Sequence, residues 1–434
     1  MSRRVLLLGA GLVAPPLARY LLDHDVALTI AANNPERAHA IGAGRARVVQ
    51  WDAGDDDALA ALVGESDVVV SFLPASMHAG VAKICVAAGR SLVTASYVSH
   101  EMAELDGAAR AAGVTLLCEL GVDPGIDHMS AMQVLDEARA RGAHAELFRS
   151  YCGGLPAPDA NDNPWGYKLS WSPIGVLRAA TRAARFLEDG EVVELPAARL
   201  QDVLVELDIG EHRLEGYPNG DSLDYRGPYK LEMAHTLLRG TLRWPGWIAS
   251  TRALDALSLL DDAPLGEAGS WAALLRDIGG IDGARDLGDA VATRLGVAAD
   301  SALLERLRWL GLFDEAPLPA GASTRIEALA AQMSARMGFA PGERDMLVMR
   351  HRFGFVERDG SERTELADLI VYGEPGGDSA MARTVGLPAA IGARLLLEGQ
   401  IDTRGVLRPL GPSIYQPLLA ELAEHGIALE HTVL

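Results

Sequence analysis

Along the opening third of the chain, short apolar runs alternate with amphipathic stretches. Residues 5–8, 26–31, 47–51, 68–72, 91–94 and 114–118 read as strands, with residues 12–22, 78–88 and 99–112 as helices between them. Strands this short and this uniformly apolar, separated by helices, are expected in a parallel sheet buried on both faces. The predicted class is therefore α/β, with a doubly wound parallel sheet at the start of the chain.

The texture changes after Gly121. A helix is expected over residues 124–141 and a strand over 145–151, followed by the irregular stretch CGGLPAPDANDNPWGYKLSWSP, whose Gly, Pro, Asn and Asp mark a long, functional loop. Residues 247–340 have helical period. Further on, MLVMRHRFGFVERDGSERTEL predicts a hairpin around Asp359-Gly360, and SAMARTVGLPAAIGARLLLEG a long helix returning to the first domain.

Composition narrows the partners. Of 434 residues, 49% are apolar, and 39 basic against 59 acidic side chains leave a net charge of −20. Such a surface repels nucleic acid and anionic membranes, so an anionic ligand needs local Arg, Lys or backbone N–H groups. Cys85, Cys118 and Cys152 are scattered, without the spacing of a metal site or a disulfide framework, which fits a reducing compartment. The opening MSRRVLLLGAGLV is broken by glycines and followed by Pro15-Pro16, unlike a signal peptide. No apolar run approaches the roughly 18 to 20 residues of a membrane span. A cytoplasmic protein without a bound metal is expected.

Gly9-Ala10-Gly11-Leu12-Val13-Ala14 is a GxGxxA turn between the first strand and the first helix. Gly9 permits the turn, Gly11 lets the backbone approach a pyrophosphate, and Ala14 allows close helix packing, so a dinucleotide is the expected cofactor. The second strand ends Asn33-Asn34-Pro35-Glu36-Arg37, without the carboxylate that would bind a ribose 2′-hydroxyl. Asn33 and Asn34 can donate to a 2′-phosphate and Arg37 can supply charge, which favours NADP; the alternative is a helix-capping turn with a solvated arginine. Ser71-Phe72-Leu73 and Ser96-Tyr97 close the fourth and fifth strands at the edge where open sheets bind ligands. Asp123 before Pro124 reads as a helix N-cap, or as a polar group at a ligand cleft, and His128 as a proton carrier or a hydrogen-bonded core residue.

These segments, together with GVDPGIDHMSA, the long loop, GYPNGDS, LRGTLRWPG, GERDMLVM and SAMARTVGLP, resemble the saccharopine reductases, also called glutamate-forming saccharopine dehydrogenases. The resemblance implies a variant Rossmann domain (1–122 with 378–434), an α/β substrate domain (123–246 with 341–377), a helical insertion (247–340) and a homodimer. It implies condensation of 2-aminoadipate 6-semialdehyde with glutamate to an imine, reduced by NADPH to saccharopine, or the reverse. By motif, Gly9, Gly11, Leu12 and Val13 would hold the pyrophosphate, Asn33 and Asn34 would lie by the 2′-phosphate, and Ser71 and Leu73 would line the nicotinamide ribose path. Ser96 and Tyr97 would meet substrate and cofactor, Asp123 would sit beside the reacting amine with Tyr97 or His128 assisting, and Trp171 would close over the site. Thr241 and Arg243 would bind substrate carboxylate, with Arg226 as a second cation. The relatives have Arg where this chain has Gly220. That departure leaves open a related carboxynorspermidine or opine-type dehydrogenase; a non-catalytic NADP-binding protein is the reading from another class.

Overall fold

The computed structural model describes residues 3–281, 283 and 286–434. They fall into two compact units: Met1–Ala145 with Pro228–Lys230 and Phe355–Leu434, and Glu146–Gly227 with Leu231–Gly354.

The first unit opens with β1 (Arg4–Leu8), α1 (Ala14–Asp23), β2 (Ala27–Ala32), α2 (Pro35–Gly42), β3 (Arg47–Gln50), α3 (Asp56–Gly64), β4 (Val68–Ser71), α4 (His78–Ala88) and β5 (Ser91–Thr94). α5 (His100–Ala103), α6 (Asp106–Ala111), β6 (Thr115–Leu117) and α7 (Ile126–Ala140) follow. The expected helix over 99–112 is thus two helices. The break sets Asp106 where its carboxylate receives the Val406 N–H at 2.8 Å and Arg110 Nε at 2.8 Å. Local chemistry fixes the helix starts: Asn34 Oδ1 accepts from Arg37 N–H at 2.9 Å with Pro35 leading α2, and Asp55 caps α3 ahead of Asp56 and Asp57.

In the second unit, β7 (His144–Pro156) is followed by α8 (Pro173–Ala180), β8 (Ala184–Glu188), β9 (Glu191–Leu195), β10 (Val205–Ile209), β11 (His212–Pro218), β12 (Gly220–Asp221) and β13 (Thr236–Arg243). Helices α9 (Trp247–Ala256), α10 (Trp271–Gly279), α11 (Leu287–Leu295), α12 (Ala302–Trp309) and α13 (Arg325–Arg336) fill the stretch read as helical, and β14 (Asp345–Val356) ends it. β13 is parallel to β7, pairing Thr241 with Cys152, and antiparallel to β11, pairing Thr241 with Tyr217. The expected loop after residue 151 starts later, because β7 runs on through Gly153 to Pro156. A Cβ on Gly153 would sit 2.4 Å from the Leu242 carbonyl oxygen, so this glycine serves strand contact, not a turn.

The chain re-enters the first unit inside β14 and completes it with β15 (Glu362–Tyr372), α14 (Ala380–Leu397), β16 (Gly405–Leu407), α15 (Pro412–Glu424) and β17 (Glu430–Val433). The parallel sheet has seven strands in the order β16-β6-β5-β4-β1-β2-β3, the doubly wound arrangement, with its switch point between β1 and β4. Its last strand comes from the far end of the sequence: Gly405–Leu407 pairs with Thr115–Leu117. Leu6, Leu8, Val69, Leu92 and Leu116 form the core of this unit with α3 and α4. α14 returns to α1 as expected, so closely that a Cβ on Gly386 would meet the Val13 carbonyl oxygen at 2.7 Å. Against expectation, α14 is long and apolar enough to cross a membrane, at 18 residues with mean hydropathy 1.3; 67% of that span is buried in the protein, as befits a core helix.

α7 and β15 lie in the first unit, and the helical stretch lies within the second. α7 packs against α15, with Tyr415 hydroxyl donating to Asp136 at 2.8 Å, which ties residues 123–145 to the end of the chain.

Candidate active site

At the carboxyl edge of the first unit's sheet, Gly9 has φ +98°, and a Cβ there would stand 3.1 Å from the Phe72 carbonyl oxygen, so the turn after β1 tolerates only glycine. A methyl group placed on the Gly11 Cα would meet nothing within 4 Å, which leaves the backbone there open to a ligand. Leu12 is exposed at the lip, Val13 is half-buried, and Ala14 is fully buried. Leu73 flanks Gly9, its Cδ2 3.7 Å from the position a Cβ would take. These residues fit a dinucleotide pyrophosphate. Asn33 and Arg37 are exposed at the end of β2; Asn34 uses its oxygen to cap α2 and keeps its amide N–H groups for other partners.

Two loops of this edge are joined by a side chain that sequence reasoning passed over. His78, 4% exposed at the start of α4, lies 3.1 Å by Nδ1 from Ser71 Oγ and 2.9 Å by Nε2 from Ser96 Oγ. Burial lowers its pKa to about 4, so the imidazole is neutral near pH 7. A neutral ring has one donor and one acceptor, so one serine hydroxyl donates to His78 and the other accepts from it. Ser96 N–H donates in turn to Thr94 Oγ1 at 2.9 Å.

Next to Ser96, the half-exposed Tyr97 donates its hydroxyl to Asp123 Oδ1 at 2.7 Å. Asp123 does not cap the following helix. The 123–124 peptide bond is cis, α7 starts at Ile126, and its N-cap is Gly125, whose φ of +147° brings the chain so tightly past Gly121 that a Cβ would lie 2.1 Å from the Gly121 oxygen. The helix therefore takes its N-cap from Gly125 and not from Asp123.

Beneath the pair lies a buried polar cluster. Glu119, 1% exposed, accepts from Val98 N–H at 2.9 Å and from Arg408 Nε at 3.0 Å, and its Oε2 stands 2.9 Å from His128 Nε2. Burial acts to raise the Glu119 carboxyl, but His128, Arg408 and the Val98 N–H outweigh it and hold the group below the usual carboxylate range. His128 is fully buried and bonds Tyr229 hydroxyl through Nδ1. Its environment is that of the hydrogen-bonded core residue weighed from sequence. Glu119, Arg408 and Tyr229 were not foreseen, and residues 289 positions apart such as Glu119 and Arg408 give no local signal.

The second unit holds a different arrangement. Arg243, 6% exposed, lies with its guanidinium carbon 5.1 Å from the Tyr167 ring centre and 5.6 Å from that of Trp247. Nη1 donates to the Leu242 carbonyl at 2.7 Å, while Nε is enclosed with no hydrogen-bond partner among the described residues. Thr241 is also buried, opposite Tyr217, whose hydroxyl burial pushes up. Trp171 Nε1 reaches Tyr167 hydroxyl at 3.3 Å, which places Trp171 beside this aromatic group. Arg226 is exposed and donates to the Glu232 carbonyl at 2.8 Å. Another cation, Arg239, was missed: it is 8% exposed and stacks 4.2 Å over the Tyr225 ring, one ladder step from Gly220, since Asn219 N–H donates to its carbonyl at 3.0 Å.

A cavity of about 530 Å³ at the opposite, amino edge of the parallel sheet is lined by Arg4, Arg45 and Arg47. Asp67, Asp23 and Glu65 already neutralise these arginines.

Residues 5–117 match the saccharopine dehydrogenase NADP binding domain and residues 121–427 the saccharopine dehydrogenase C-terminal domain. The chain is 37% identical to the saccharopine dehydrogenase [NADP(+), L-glutamate-forming] of Pyricularia oryzae, over 100% of this chain and 99% of that protein. It is 39% identical to the mitochondrial alpha-aminoadipic semialdehyde synthase of Bos taurus over 98% of its own length, and spans 47% of that longer relative. The structure of apo saccharopine dehydrogenase (L-Glu forming) from Saccharomyces cerevisiae superposes with a TM-score of 0.91, at 33% identity and 100% coverage of both chains.

Proposed function

Since the chain belongs to the saccharopine dehydrogenase family, we propose that it is an NADP-dependent oxidoreductase interconverting saccharopine with L-glutamate and 2-aminoadipate 6-semialdehyde. The observation that carries this reading is the Tyr97 hydroxyl on Asp123 at 2.7 Å, set at the carboxyl edge of a parallel sheet whose glycine turn fits a dinucleotide. Two acid–base groups in contact at that edge suit a reaction whose steps move protons on and off an amine and a carbinolamine.

Bound NADP supplies hydride transfer at its nicotinamide. The chain's residues do the rest. The Gly9–Val13 turn binds the pyrophosphate, and Asn33, Asn34 and Arg37 meet the 2′-phosphate. Ser71, Leu73 and Ser96 line the nicotinamide end, with the two hydroxyls oriented by neutral His78. Asp123 takes the proton from the secondary amine and Tyr97 passes it on, or donates it to expel water in the opposite direction. His128 supports this pair from within the core. Saccharopine carries three carboxylates, and Arg243 offers a planar fork to one of them, with Thr241 beside it and Arg226 as an outer cation. Arg226, next to Tyr225, takes over from the arginine absent at Gly220, with Arg239 stacked on the Tyr225 ring.

The three cysteines are free and buried, consistent with a cytoplasmic enzyme. The family resemblance supports a homodimer acting on small molecules, without nucleic acid, membrane or metal. The test is an assay at 340 nm with purified protein and saccharopine, run separately with NADP and NAD. Rapid reduction of NADP alone is expected. Reduction of NAD instead overturns the cofactor, and no reduction of either, with tight NADPH binding, moves the substrate to another imine.

A further inference from the structure

Tyr97 stands on a three-residue strip, Ser96–Tyr97–Val98, that leaves β5 at the sheet edge. Glu119 holds this strip on both sides of Tyr97. Its backbone N–H donates to the Ser96 carbonyl at 3.1 Å, and its carboxylate accepts the Val98 N–H at 2.9 Å. One residue later, Leu120 N–H donates to the Thr94 carbonyl at 3.0 Å, so the strip and the segment leading to Asp123 are laced together. Glu119 also has φ +58°, a left-handed conformation rare for a residue with a side chain, and such conformations persist only where the surroundings enforce them.

The surroundings here are costly as well as constraining. A carboxylate that is 1% exposed is retained in a protein interior only when charges and donors compensate it. Arg408 from the end of β16 donates to it at 3.0 Å, Val98 N–H donates at 2.9 Å, and the His128 ring from α7 packs 2.9 Å from its other oxygen. Simple packing would be met by an apolar residue. An ionised group aimed at the main chain next to Tyr97 is better explained by the placement of that tyrosine.

We propose that Glu119 is a positioning residue that fixes the Tyr97 hydroxyl on Asp123, with Arg408 and His128 holding Glu119 in turn. This rests on the assignment of Tyr97 and Asp123 to proton transfer, and the two ideas separate experimentally. Glu119→Ala, Glu119→Gln and Tyr97→Phe are compared with the double variant Glu119→Ala/Tyr97→Phe by steady-state turnover of saccharopine with NADP, by NADPH affinity from fluorescence, and by circular dichroism.

If the inference holds, Glu119→Ala lowers kcat by about 10- to 100-fold while NADPH affinity stays within about threefold. Its effect shrinks to less than about threefold when Tyr97 is already Phe, because interacting residues are non-additive. Glu119→Gln, which keeps an oxygen for Val98 N–H, restores most of kcat. A folded Glu119→Ala with kcat within twofold of the parent overturns the inference, and so does an equal loss in both backgrounds. If Tyr97→Phe lowers kcat and Glu119→Ala does not, only the positioning role falls. If neither Tyr97→Phe nor Asp123→Ala changes kcat, the proton-transfer assignment falls and takes this inference with it. Should Glu119→Ala fail to fold, Arg408→Met decides. Its side chain is 33% exposed, and a loss of kcat of threefold or more that disappears in the Tyr97→Phe background is expected, whereas unchanged kcat counts against the role.

Discussion

The polar side chains at the carboxyl edge of the first unit are engaged with one another. Ser71 and Ser96 share His78, Tyr97 bonds Asp123, and Glu119 is gripped from several directions. In the second unit, Arg243 is buried between aromatic rings with an Nε that meets no partner among the described residues. The first region is assembled in advance, its donors and acceptors already paired with one another. The second holds back part of its bonding capacity, which suits a guanidinium kept for an incoming carboxylate. Under the proposed function, preorganisation and specificity fall to different parts of the sequence, and each is open to a separate test.

The largest effect should come from the uncommitted cation. Arg243→Ala is expected to lower kcat/KM for saccharopine by about 10²- to 10³-fold, chiefly through KM, since the loss of one partner of a buried charge pair costs about 2–5 kcal/mol. Arg243→Lys should recover part of it, because a lysine keeps the charge and loses the fork. Titration of NADPH fluorescence should show affinity unaltered in both. Wild-type kcat/KM in Arg243→Ala would erase the contrast between the regions.

A smaller, pH-dependent effect is expected at His78. Its pKa falls from 6.5 unfolded to about 4 folded, so the unfolded chain binds more protons between these values. The stability from keeping it neutral is full above pH 6.5, declines as pH falls by up to about 1.4 kcal/mol per unit, and is gone near pH 4. Denaturant melts of His78→Leu should be weaker than the parent at pH 7 by about 1–3 kcal/mol, the cost of two hydroxyls without a partner, and flatter from pH 6.5 to 4. A parallel pH profile in both proteins would show that His78 does not organise this edge.

The smallest effect belongs to exposed Arg37. Arg37→Ala should reduce the preference for NADP over NAD by about fivefold, in keeping with an ion pair of up to about 1 kcal/mol in solvent. No change in the ratio of kcat/KM values would leave the 2′-phosphate to Asn33 and Asn34.

The parallel sheet was legible because its strands are buried on both faces and so read as apolar runs, and the glycine turn because only glycine fits beside the Phe72 carbonyl. Misreadings arose where one residue type serves two purposes. Gly153 looked like a loop and is a close-contact glycine within β7, and Asp123 before Pro124 was open to two readings because the sequence does not show that the helix begins at Ile126. His78 was hidden because a lone histidine on an apolar helix has no pattern around it. Glu119 was hidden because its partners, Val98, His128 and Arg408, are brought together only by the folded chain.

The closing strand of the parallel sheet has a consequence for how the protein is made. Thr115 and Thr403, which meet where β6 pairs with β16, are 288 residues apart. At a synthesis rate of about 5–20 residues per second, the ribosome needs roughly 15 to 60 s to travel that distance. Throughout that interval the β6 edge of the sheet exposes unpaired N–H and C=O groups to whatever strand arrives first. The hazard of misassembly in the cell is therefore set by a clock, and slower translation of the intervening residues lengthens the exposure without altering the stability of the finished fold.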